Sequence, residues 1–219
     1  MPESPDIVRI SEEVARRVRD RLADSSIRGK NLISVGISGR HIHLTREVLE
    51  SLFGKGYQLN PYKDLSQPGE FAAKEIVTIV GPAGRAIENV RVLGPMRKFT
   101  QIELSRSDGL RLGIDLPIRR TGDLSGTPGL TVVGPRGTVV LKEGAVSATR
   151  HIHMTPADAD RFGVCDGQIV RARVMGARGL VFDNVLVRVS DRFALDFHLD
   201  TDDANAAGLE NGSLVEIIT

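Results

Sequence analysis

Ser-Gly-Arg-His-Ile-His-Leu, residues 38–44, returns with small changes as Ala-Thr-Arg-His-Ile-His-Met at residues 148–154. The two copies hold four of the five histidines in the 219-residue chain, and each copy is followed by a threonine, Thr45 or Thr155. Such a repeat predicts two similar halves, each organised around one Arg-His-Ile-His stretch.

The His-Ile-His pattern indicates a metal site if it lies on a β-strand. Successive side chains of a strand point to opposite faces, so both imidazoles share one face while the isoleucine points to the buried side. Imidazole is neutral near pH 7 and is the commonest protein ligand for zinc. The alternative is a pair of half-exposed strand histidines without metal, and the duplication argues against it. Because catalytic zinc sites usually have three protein ligands, each copy needs one more.

A longer repeat supplies these third ligands. Glu-Asn-Val-Arg-Val at residues 88–92 aligns with Asp-Asn-Val-Leu-Val at residues 183–187, and continuing without a gap places Glu103 on His198. The offset there is 95 residues, against 110 at the His-Ile-His copies, and the difference falls in the loop around residues 57–74, where insertions are easily absorbed. The alignment predicts two metal sites related by approximate twofold symmetry. Their ligands are His41, His43 and Glu103 in the first site, and His151, His153 and His198 in the second.

Composition bounds the protein class. The length allows one large domain or two small ones, and 41% hydrophobic with 26% charged residues is typical of a soluble globular protein. The formal charge of +1, from 29 basic and 28 acidic residues, argues against nucleic-acid binding as the main task. A single cysteine, Cys165, excludes an intrachain disulfide and fits a reducing compartment. No apolar run approaches a membrane span and no signal peptide is evident, so we predict a cytoplasmic protein.

Beyond residue 30 the pattern is mostly β. Before it, an amphipathic helix is predicted over residues 7–23, with a narrow apolar stripe on a charged helix that needs a partner surface. Short helices are predicted after Thr45 and Thr155, which can serve as N-caps, and residues 57–74 are predicted to form a loop. The predicted strands cover residues 31–37, 75–80, 86–93, 99–104, 110–114, 130–133, 137–141, 144–149, 168–175, 180–189, 193–199 and 213–218.

Five motifs, in register along nearly the whole of residues 31–219, carry a family resemblance. They are Gly-Arg-His-Ile-His-Leu-Thr (39–45), Leu-Ser-Gln-Pro-Gly-Glu-Phe-Ala (65–72), Val-Leu-Gly-Pro-Met-Arg-Lys-Phe-Thr-Gln-Ile-Glu (92–103), Gly-Thr-Pro-Gly (126–129) and Arg-His-Ile-His-Met-Thr (150–155). As a set they resemble the PduL-type phosphate propanoyltransferase (phosphotransacylase) family, although His-x-His alone would not specify it.

The resemblance implies a fold and an activity. The fold is mostly β, with two similar small β-barrel domains and short capping helices over residues 31–141 and 142–219, a dinuclear zinc site between them, and an N-terminal helical segment over residues 1–30. The activity is reversible transfer of a short acyl group, propanoyl by the family's name, between coenzyme A and inorganic phosphate. Members commonly belong to bacterial microcompartments that process propanediol, and some carry an N-terminal encapsulation helix, a role that residues 7–23 would fit. We expect acyl-CoA and phosphate as partners, a homo-oligomer, and neither nucleic acid nor membrane.

Within this family the residues acquire roles. Acyl transfer needs an oriented phosphate oxygen and stabilisation of the charge that develops on the thioester carbonyl oxygen, and metal ions can supply both. Arg97 is the predicted catalytic residue, because its guanidinium can hold phosphate bidentately. For coenzyme A we predict contacts from Gln67 in one glycine-containing loop and from Arg119, Arg120 and Gly126 in or beside another. Phosphate is already anionic at pH 7, so direct attack is favoured over an acyl-enzyme.

Other functions use the same residues. The spacing from His41 through Glu47 to Gly54 matches the first cupin motif, but Ala157 stands in the second copy where Glu47 stands in the first. A dinuclear metallohydrolase could use both ligand sets to activate water. A metal-binding scaffold protein without activity is the alternative from a non-enzyme class. The residues also leave open whether the native ion is zinc, cobalt or iron.

Overall fold

Strands dominate the part of the chain that the computed structural model describes, residues 32–218. The predicted helix over residues 7–23 lies outside the described residues. The described strands are β1 (Leu32–Ser38), β2 (His41–His43), β3 (Pro61–Asp64), β4 (Phe71–Val80), β5 (Ala86–Gly94), β6 (Gln101–Glu103), β7 (Ile118–Arg119), β8 (Thr131–Val133), β9 (Thr138–Val140), β10 (Ala145–Ala148), β11 (His151–Met154), β12 (Ile169–Val174), β13 (Leu180–Val189), β14 (Asp196–Asp200) and β15 (Leu214–Ile218). The described helices are α1 (Arg46–Phe53), α2 (Arg106–Leu112), α3 (Pro156–Phe162) and α4 (Thr201–Ala207).

These strands form two sheets, each over its own hydrophobic core. One closes into a six-stranded barrel in the order β1, β14, β11, β13, β12, β15, and its core includes Ile152 and Phe197. The other runs β7, β10, β6, β2, β5, β4, β8, β9, with β3 added to β4, and its core includes Ile42 and Ile102. It forms a half-barrel rather than a closed one. The mostly β prediction is confirmed.

The sequence repeat is also a structural repeat. In the first half, β2 pairs antiparallel with β6 and parallel with β5, and in the second half β11 pairs antiparallel with β14 and parallel with β13. Asn89 and Asn184, 95 residues apart, both take a left-handed backbone, with φ of 59° and 58°. Both offsets inferred from the sequence therefore hold in the strand register.

Two strands cross the predicted domain boundary at residue 141. Strand β1, placed by sequence with the first half, pairs parallel with β14 and completes the barrel of the second half, with Val35 opposite Phe197. Strand β10, placed with the second half, pairs parallel with β6 of the first, with Ala145 opposite Ile102. The two exchanges are equivalent under the repeat. The division into domains at residue 141 stays a prediction, but the hydrogen-bonded sheets do not respect it.

Local capping decides the short helices. Thr45 Oγ1 accepts a hydrogen bond from Val48 N, and Thr155 forms a capping box with Asp158, so both predicted N-caps are confirmed. The strand predicted over residues 110–114 is wrong. Ser105 Oγ accepts from Asp108 N and Gly113 closes the C-terminus in the left-handed region, so α2 forms there despite the alternating pattern.

The loop predicted over residues 57–74 is only partly correct. It contains β3, and β4 begins inside it at Phe71. Strand β3 is exposed on all four residues, so it lacks the buried alternation that marks a strand in a sequence. Among the described residues, no helix is long and apolar enough to cross a membrane.

Candidate active site

The first ligand triplet lies on two adjacent strands of the half-barrel. His41 and His43 project from β2, with ring centroids 5.1 Å apart, and His41 stands opposite Glu103 of β6 in the antiparallel register. His41 Nε2 lies 3.5 Å from Glu103 Oε2. The ligand atoms of the three side chains all lie within 4.8 Å of one another, which suits binding of one cation.

The second triplet repeats this arrangement in the barrel. His151 and His153 project from β11, and His151 stands opposite His198 of β14. The ring centroids lie 4.7 Å apart for His151 and His153, 5.2 Å for His151 and His198, and 4.9 Å for His153 and His198. Their ligand atoms also lie within 4.8 Å of one another.

Both triplets open into one cavity of about 670 Å³. All six predicted ligands line it: His41, His43, Glu103, His151, His153 and His198. Because both triplets line the same cavity, groups bound at the two triplets could act on one substrate. A volume of this size suits a small-molecule site.

Backbone carbonyls fix the tautomer of the first histidine in each copy. The Nδ1 atom of His41 lies 2.8 Å from the oxygen of Gly39, and the Nδ1 atom of His151 lies 2.7 Å from the oxygen of Thr149. A carbonyl only accepts, so Nδ1 carries the proton and donates it. Nε2 therefore keeps its lone pair, as a metal ligand requires.

Burial keeps three of the ligand imidazoles neutral. Desolvation, followed by neighbouring histidines, lowers the pKa of His43 to about 3 and that of His153 to about 2, and burial with the neighbouring His198 lowers the pKa of His151 to about 4. Burial alone would raise the pKa of Glu103, but the adjacent imidazoles, His41 foremost, and a hydrogen bond from the Gln101 amide lower it. The sites thus present lone pairs and a carboxylate, which are the donor types that zinc binds.

Unpaired nitrogens indicate that the triplets fit a cation. Both ring nitrogens of His153, and Nδ1 of His43, are buried without a hydrogen-bond partner among the described residues. A buried polar atom left unsatisfied costs about 1–3 kcal/mol. A cation bound to an imidazole lone pair would offset part of that cost, so the donor set and its surroundings both fit a metal ion.

Arg97 reaches the same cavity. Its backbone N donates to Leu44 O at 2.9 Å, and its guanidinium forms an ion pair through Nη2 with Glu70 Oε1. Its Nε is buried without a partner among the described residues. The guanidinium therefore lines the same cavity as the two ligand triplets and keeps a donor that no described residue uses.

Comparison with known proteins places this geometry in a family. A family model described as phosphate propanoyltransferase matches residues 34–210. The chain belongs to the phosphate propanoyltransferase family. A phosphate propanoyltransferase from Thermotoga maritima is 55% identical over 210 residues, which is 95% of this chain and 99% of the relative. One from Clostridioides difficile is 50% identical over 209 residues, which is 95% of each chain.

Membership of the phosphate propanoyltransferase family confirms the resemblance drawn from the motifs and makes the chain an acyltransferase by family. Among the residues predicted to bind coenzyme A, Gln67 lines the cavity. Its amide, however, is bonded to the backbone of Ala194 at both ends: Nε2 donates to O at 3.0 Å and Oε1 accepts from N at 3.1 Å. Contact with coenzyme A would have to use other atoms of this loop.

The remaining predicted coenzyme A residues do not line the main cavity. Arg120 lines a smaller neighbouring cavity of about 200 Å³ that shares His151 with the main one. Arg119 pairs weakly with Asp123 at 3.7 Å, and Gly126 N donates to a glutamate carboxylate at 3.3 Å. Neither Arg119 nor Gly126 is among the cavity-lining residues. Their roles stay predictions.

The arginine before each His-Ile-His forms an ion pair with a nearby aspartate. Arg40 contacts Asp108 of α2 at 3.1 Å, and Arg150 contacts Asp203 of α4 at 3.1 Å. These pairs are equivalent under the repeat. Each fixes the start of a ligand strand to the helix that follows the third ligand of the same half.

Sequence reasoning missed several residues of the site. The ring of Phe193 stacks on His153 with centroids 4.2 Å apart, and Arg188 lies opposite His153 in the register of β13 and lines the cavity. Burial lowers the pKa of Arg188. A charged residue inside the otherwise apolar run of residues 185–189 was the available signal. Phe193 lies in a loop and gave none.

Proposed function

We propose that the chain is a phosphate propanoyltransferase that transfers a short acyl group, propanoyl in the first instance, between coenzyme A and inorganic phosphate at a dinuclear zinc site. The observation that carries this proposal is the single cavity that both ligand triplets and Arg97 line together. One ligand set would hold one substrate, whereas two sets facing one space suit a reaction that joins two substrates. The names of the relatives supply the acyl group and the acceptor.

Each triplet would hold one zinc ion, through its two strand histidines and either Glu103 or His198. Bound zinc supplies Lewis acidity for the thioester carbonyl and a positive field for the phosphate. Three protein ligands leave room for a substrate atom. Zinc is favoured over magnesium or calcium because five of the six ligands are imidazoles.

The side chains account for the rest of the reaction. Arg97 binds phosphate through its guanidinium and holds one oxygen towards the thioester. The phosphate oxygen forms a bond to the carbonyl carbon, the carbon–sulfur bond breaks, and the thiolate takes the proton that the phosphate releases. His43, His151 and His153, with pKa values of about 3, 4 and 2, are neutral near pH 7 and too weakly basic to take the proton of the phosphate. All five histidines of the chain are proposed as metal ligands, so we favour a direct transfer without a histidine base.

The test is phosphate-dependent release of coenzyme A. Purified protein loaded with zinc is given propanoyl-CoA with and without phosphate, and acyl phosphate is trapped as the hydroxamate. We expect equal amounts of free thiol and hydroxamate, with no release in the absence of phosphate. Release without phosphate would identify a metallohydrolase, and no release under either condition would identify a non-catalytic scaffold. Metal analysis of the same protein is expected to give two zinc ions per chain.

The coenzyme A site is proposed on the loops that rim the cavity. Backbone and side chains of the loop around Gln67, together with Arg119, Arg120 and Gly126, would contact the pantetheine and phosphates. The observation in support is that Ser66 and Thr121, one from each loop, line the cavity. Charge reversal at Arg120, measured as the KM for propanoyl-CoA against the KM for phosphate, tests it: a selective rise for propanoyl-CoA is expected.

Cellular placement is proposed from the family resemblance. Residues 7–23 would act as an encapsulation helix that directs a cytoplasmic homo-oligomer into a bacterial microcompartment. A fusion of residues 1–30 to a fluorescent protein tests this: punctate fluorescence is expected only in cells that make microcompartments. Size-exclusion chromatography with light scattering gives the oligomeric state.

A further inference from the structure

The third ligand of each triplet has a polar neighbour on its own strand. Gln101 lies two residues before Glu103 on β6, and Asp196 lies two residues before His198 on β14. Side chains two residues apart on a strand share a face. Gln101 and Asp196 are equivalent under the repeat, and each stands opposite the second histidine of its triplet, His43 or His153.

Each neighbour bonds the ligand beside it. Gln101 Nε2 donates to Glu103 Oε1 at 2.6 Å, and His198 Nε2 donates to Asp196 Oδ2 at 3.1 Å. The polarity is matched in both cases: the ligand that can only accept faces an amide donor, and the ligand with a ring N–H faces a carboxylate acceptor. The same two places in the repeat thus hold opposite hydrogen-bonding groups because the ligands themselves differ.

Both neighbours, Gln101 and Asp196, are buried at positions that the surrounding backbone accommodates. Gln101 is fully buried, and its Oε1 accepts a hydrogen bond from Gly122 N at 2.8 Å, which leaves its NH₂ group directed at Glu103. Asp196 is 5% exposed, and its carboxylate occupies the space in front of Gly36 of β1. A Cβ on Gly36 would lie 2.6 Å from Asp196 Oδ2. The residue equivalent to Gly36 in the other half is Val146, so the glycine belongs to the seat of the carboxylate and not to the repeat.

We propose that Gln101 and Asp196 are matched positioning residues that orient the third ligand of each metal site and tune its basicity. Asp196 accepts the hydrogen bond of the protonated Nε2 of His198, so that Nδ1 keeps the lone pair that a metal ion needs. Gln101 holds one oxygen of Glu103, so that Oε2 faces His41. The inference rests on the proposed metal sites.

One consequence is that each site contains one carboxylate, which is itself a ligand in the first site and is hydrogen-bonded to a ligand in the second. In the first site it is Glu103, a ligand, and in the second it is Asp196, one bond behind the ligand. Carboxylates behind ligating histidines raise ligand basicity, and their loss typically weakens metal affinity about 10–100-fold. Both sites thereby hold a dication with the same formal protein charge.

The experiment exchanges amide for carboxyl at each position. Asp196→Asn and Gln101→Glu keep the side-chain size, and Glu75→Gln is the matched control, a buried carboxylate that does not line the cavity. Zinc affinity of the full chain is measured by competition with a chelating dye, which resolves two ions per chain. We expect each site variant to weaken one ion about 10–100-fold, the double variant to weaken both, and the control to match the parent.

Background variants assign the effects to sites. In a His198→Ala protein, Asp196→Asn is expected to add nothing, because Asp196 acts through His198, whereas Gln101→Glu still weakens the remaining ion. Unaltered zinc affinity in both single variants would overturn the inference, as would equal weakening by Glu75→Gln. Total loss of one ion in Asp196→Asn at saturating zinc would make Asp196 a ligand and also overturn it.

Gly36→Ala tests the position of the Asp196 carboxylate without changing either Gln101 or Asp196. The added methyl is expected to displace the Asp196 carboxylate and to weaken the same ion as Asp196→Asn, with the circular dichroism of the parent. A folded Gly36→Ala protein with parental affinity for both ions would contradict the proposed seat. Zinc affinity is measured without turnover. A parent protein that binds two zinc ions but shows no phosphate-dependent activity would therefore refute the proposed function and leave the inference about Gln101 and Asp196 standing.

Discussion

Arg97 owes its proposed role to where its guanidinium lies and not to its charge alone. Arg192 stands at the equivalent place in the repeat, but it is exposed and is not among the cavity-lining residues. Arg97 is fixed by Leu44 O on the main chain and by Glu70 on the side chain. A planar fork held in this way recognises a phosphate bidentately, which a lysine ammonium cannot do.

Arg97→Lys is therefore expected to raise the KM for phosphate roughly 10-fold or more, the equivalent of one charged hydrogen bond, while the KM for propanoyl-CoA changes little. Initial rates with phosphate varied at saturating propanoyl-CoA measure this. Arg192→Lys is the matched control and should behave as the parent. An equal rise in both variants would remove Arg97 from the phosphate site.

Glu75 illustrates a charge that serves stability rather than chemistry. Burial alone would raise the pKa of its carboxyl, but hydrogen bonds from Asn60 N, Asn60 Nδ2 and the Tyr57 hydroxyl lower it overall. A folded-state pKa below the ordinary value means that the carboxylate stabilises the fold above that ordinary value. This contribution is lost as the pH falls through the folded-state pKa.

Glu75→Gln should consequently lower the free energy of unfolding near neutral pH by about 1–3 kcal/mol, the range for hydrogen bonds to a charged group. The gap between parent and variant should narrow as the pH falls below about 4, near the ordinary carboxyl pKa. Urea titrations at several pH values between 3 and 7 measure the gap. A gap that widens towards acid would contradict the assigned sign.

At the scale of elements, the loop between β3 and β4 brings three side chains to the site. Ser66 lies 3.5 Å from His198 Nε2, Glu70 pairs with Arg97, and Gln67 fastens the loop to Ala194 in the β13–β14 connection. A glutamate in place of Gln67 could still accept from Ala194 N but could not donate to Ala194 O.

Gln67→Glu is expected to loosen this loop, to speed hydrogen exchange over residues 65–70, and to lower kcat/KM for propanoyl-CoA about 10-fold through lost orientation. Exchange mass spectrometry and initial rates measure the two effects. Gln58→Glu makes the same change at an exposed site outside the cavity and should leave both unaltered. A parental exchange rate in Gln67→Glu would show that the clamp does not hold the loop.

The elements also show what a sequence can and cannot predict. The caps Thr45 and Thr155 and the clustering of the six predicted ligands around one cavity were predictable because each depends on a residue's own neighbours or on the repeat. Residues 110–114 were predicted as a strand from their alternating apolar residues, whereas the cap at Ser105, five residues earlier, starts helix α2 there. Asp196 was missed because its proposed role depends on a contact with Gly36 of a neighbouring strand, 160 residues away in the chain.

At the scale of the whole molecule, the exchange of β1 and β10 ties the two halves together. A sequence repeat predicts two similar units, but it does not predict which copy of a strand pairs with which sheet, because both pairings bury the same side chains. Here each first strand pairs with the other half's third-ligand strand, β14 or β6. Each third-ligand strand is then hydrogen-bonded on one side to a strand of its own half and on the other side to a strand of the other half.

This exchange predicts that the two halves unfold together, whereas a division into domains at residue 141 predicts that they unfold separately. The chain has no tryptophan, and its two tyrosines, Tyr57 and Tyr62, lie in the first half, so tyrosine fluorescence reports that half alone. Val215 is fully buried in the barrel of the second half, on β15 and away from the ligands. Val215→Ala is expected to cost roughly 1–3 kcal/mol of unfolding free energy.

If the exchanged strands make residues 33–219 one cooperative unit, that cost must appear in the tyrosine signal although no tyrosine is near the substitution. Urea unfolding of parent and variant, followed by tyrosine fluorescence and far-ultraviolet circular dichroism, measures it. The two midpoints should fall together and by the same amount. Val132→Ala, the reciprocal change at a fully buried valine of β8, should lower both signals as well. A tyrosine midpoint that stays at the parental value in Val215→Ala would mean that the halves unfold independently, because strand exchange without energetic coupling leaves each core to respond only to its own defects.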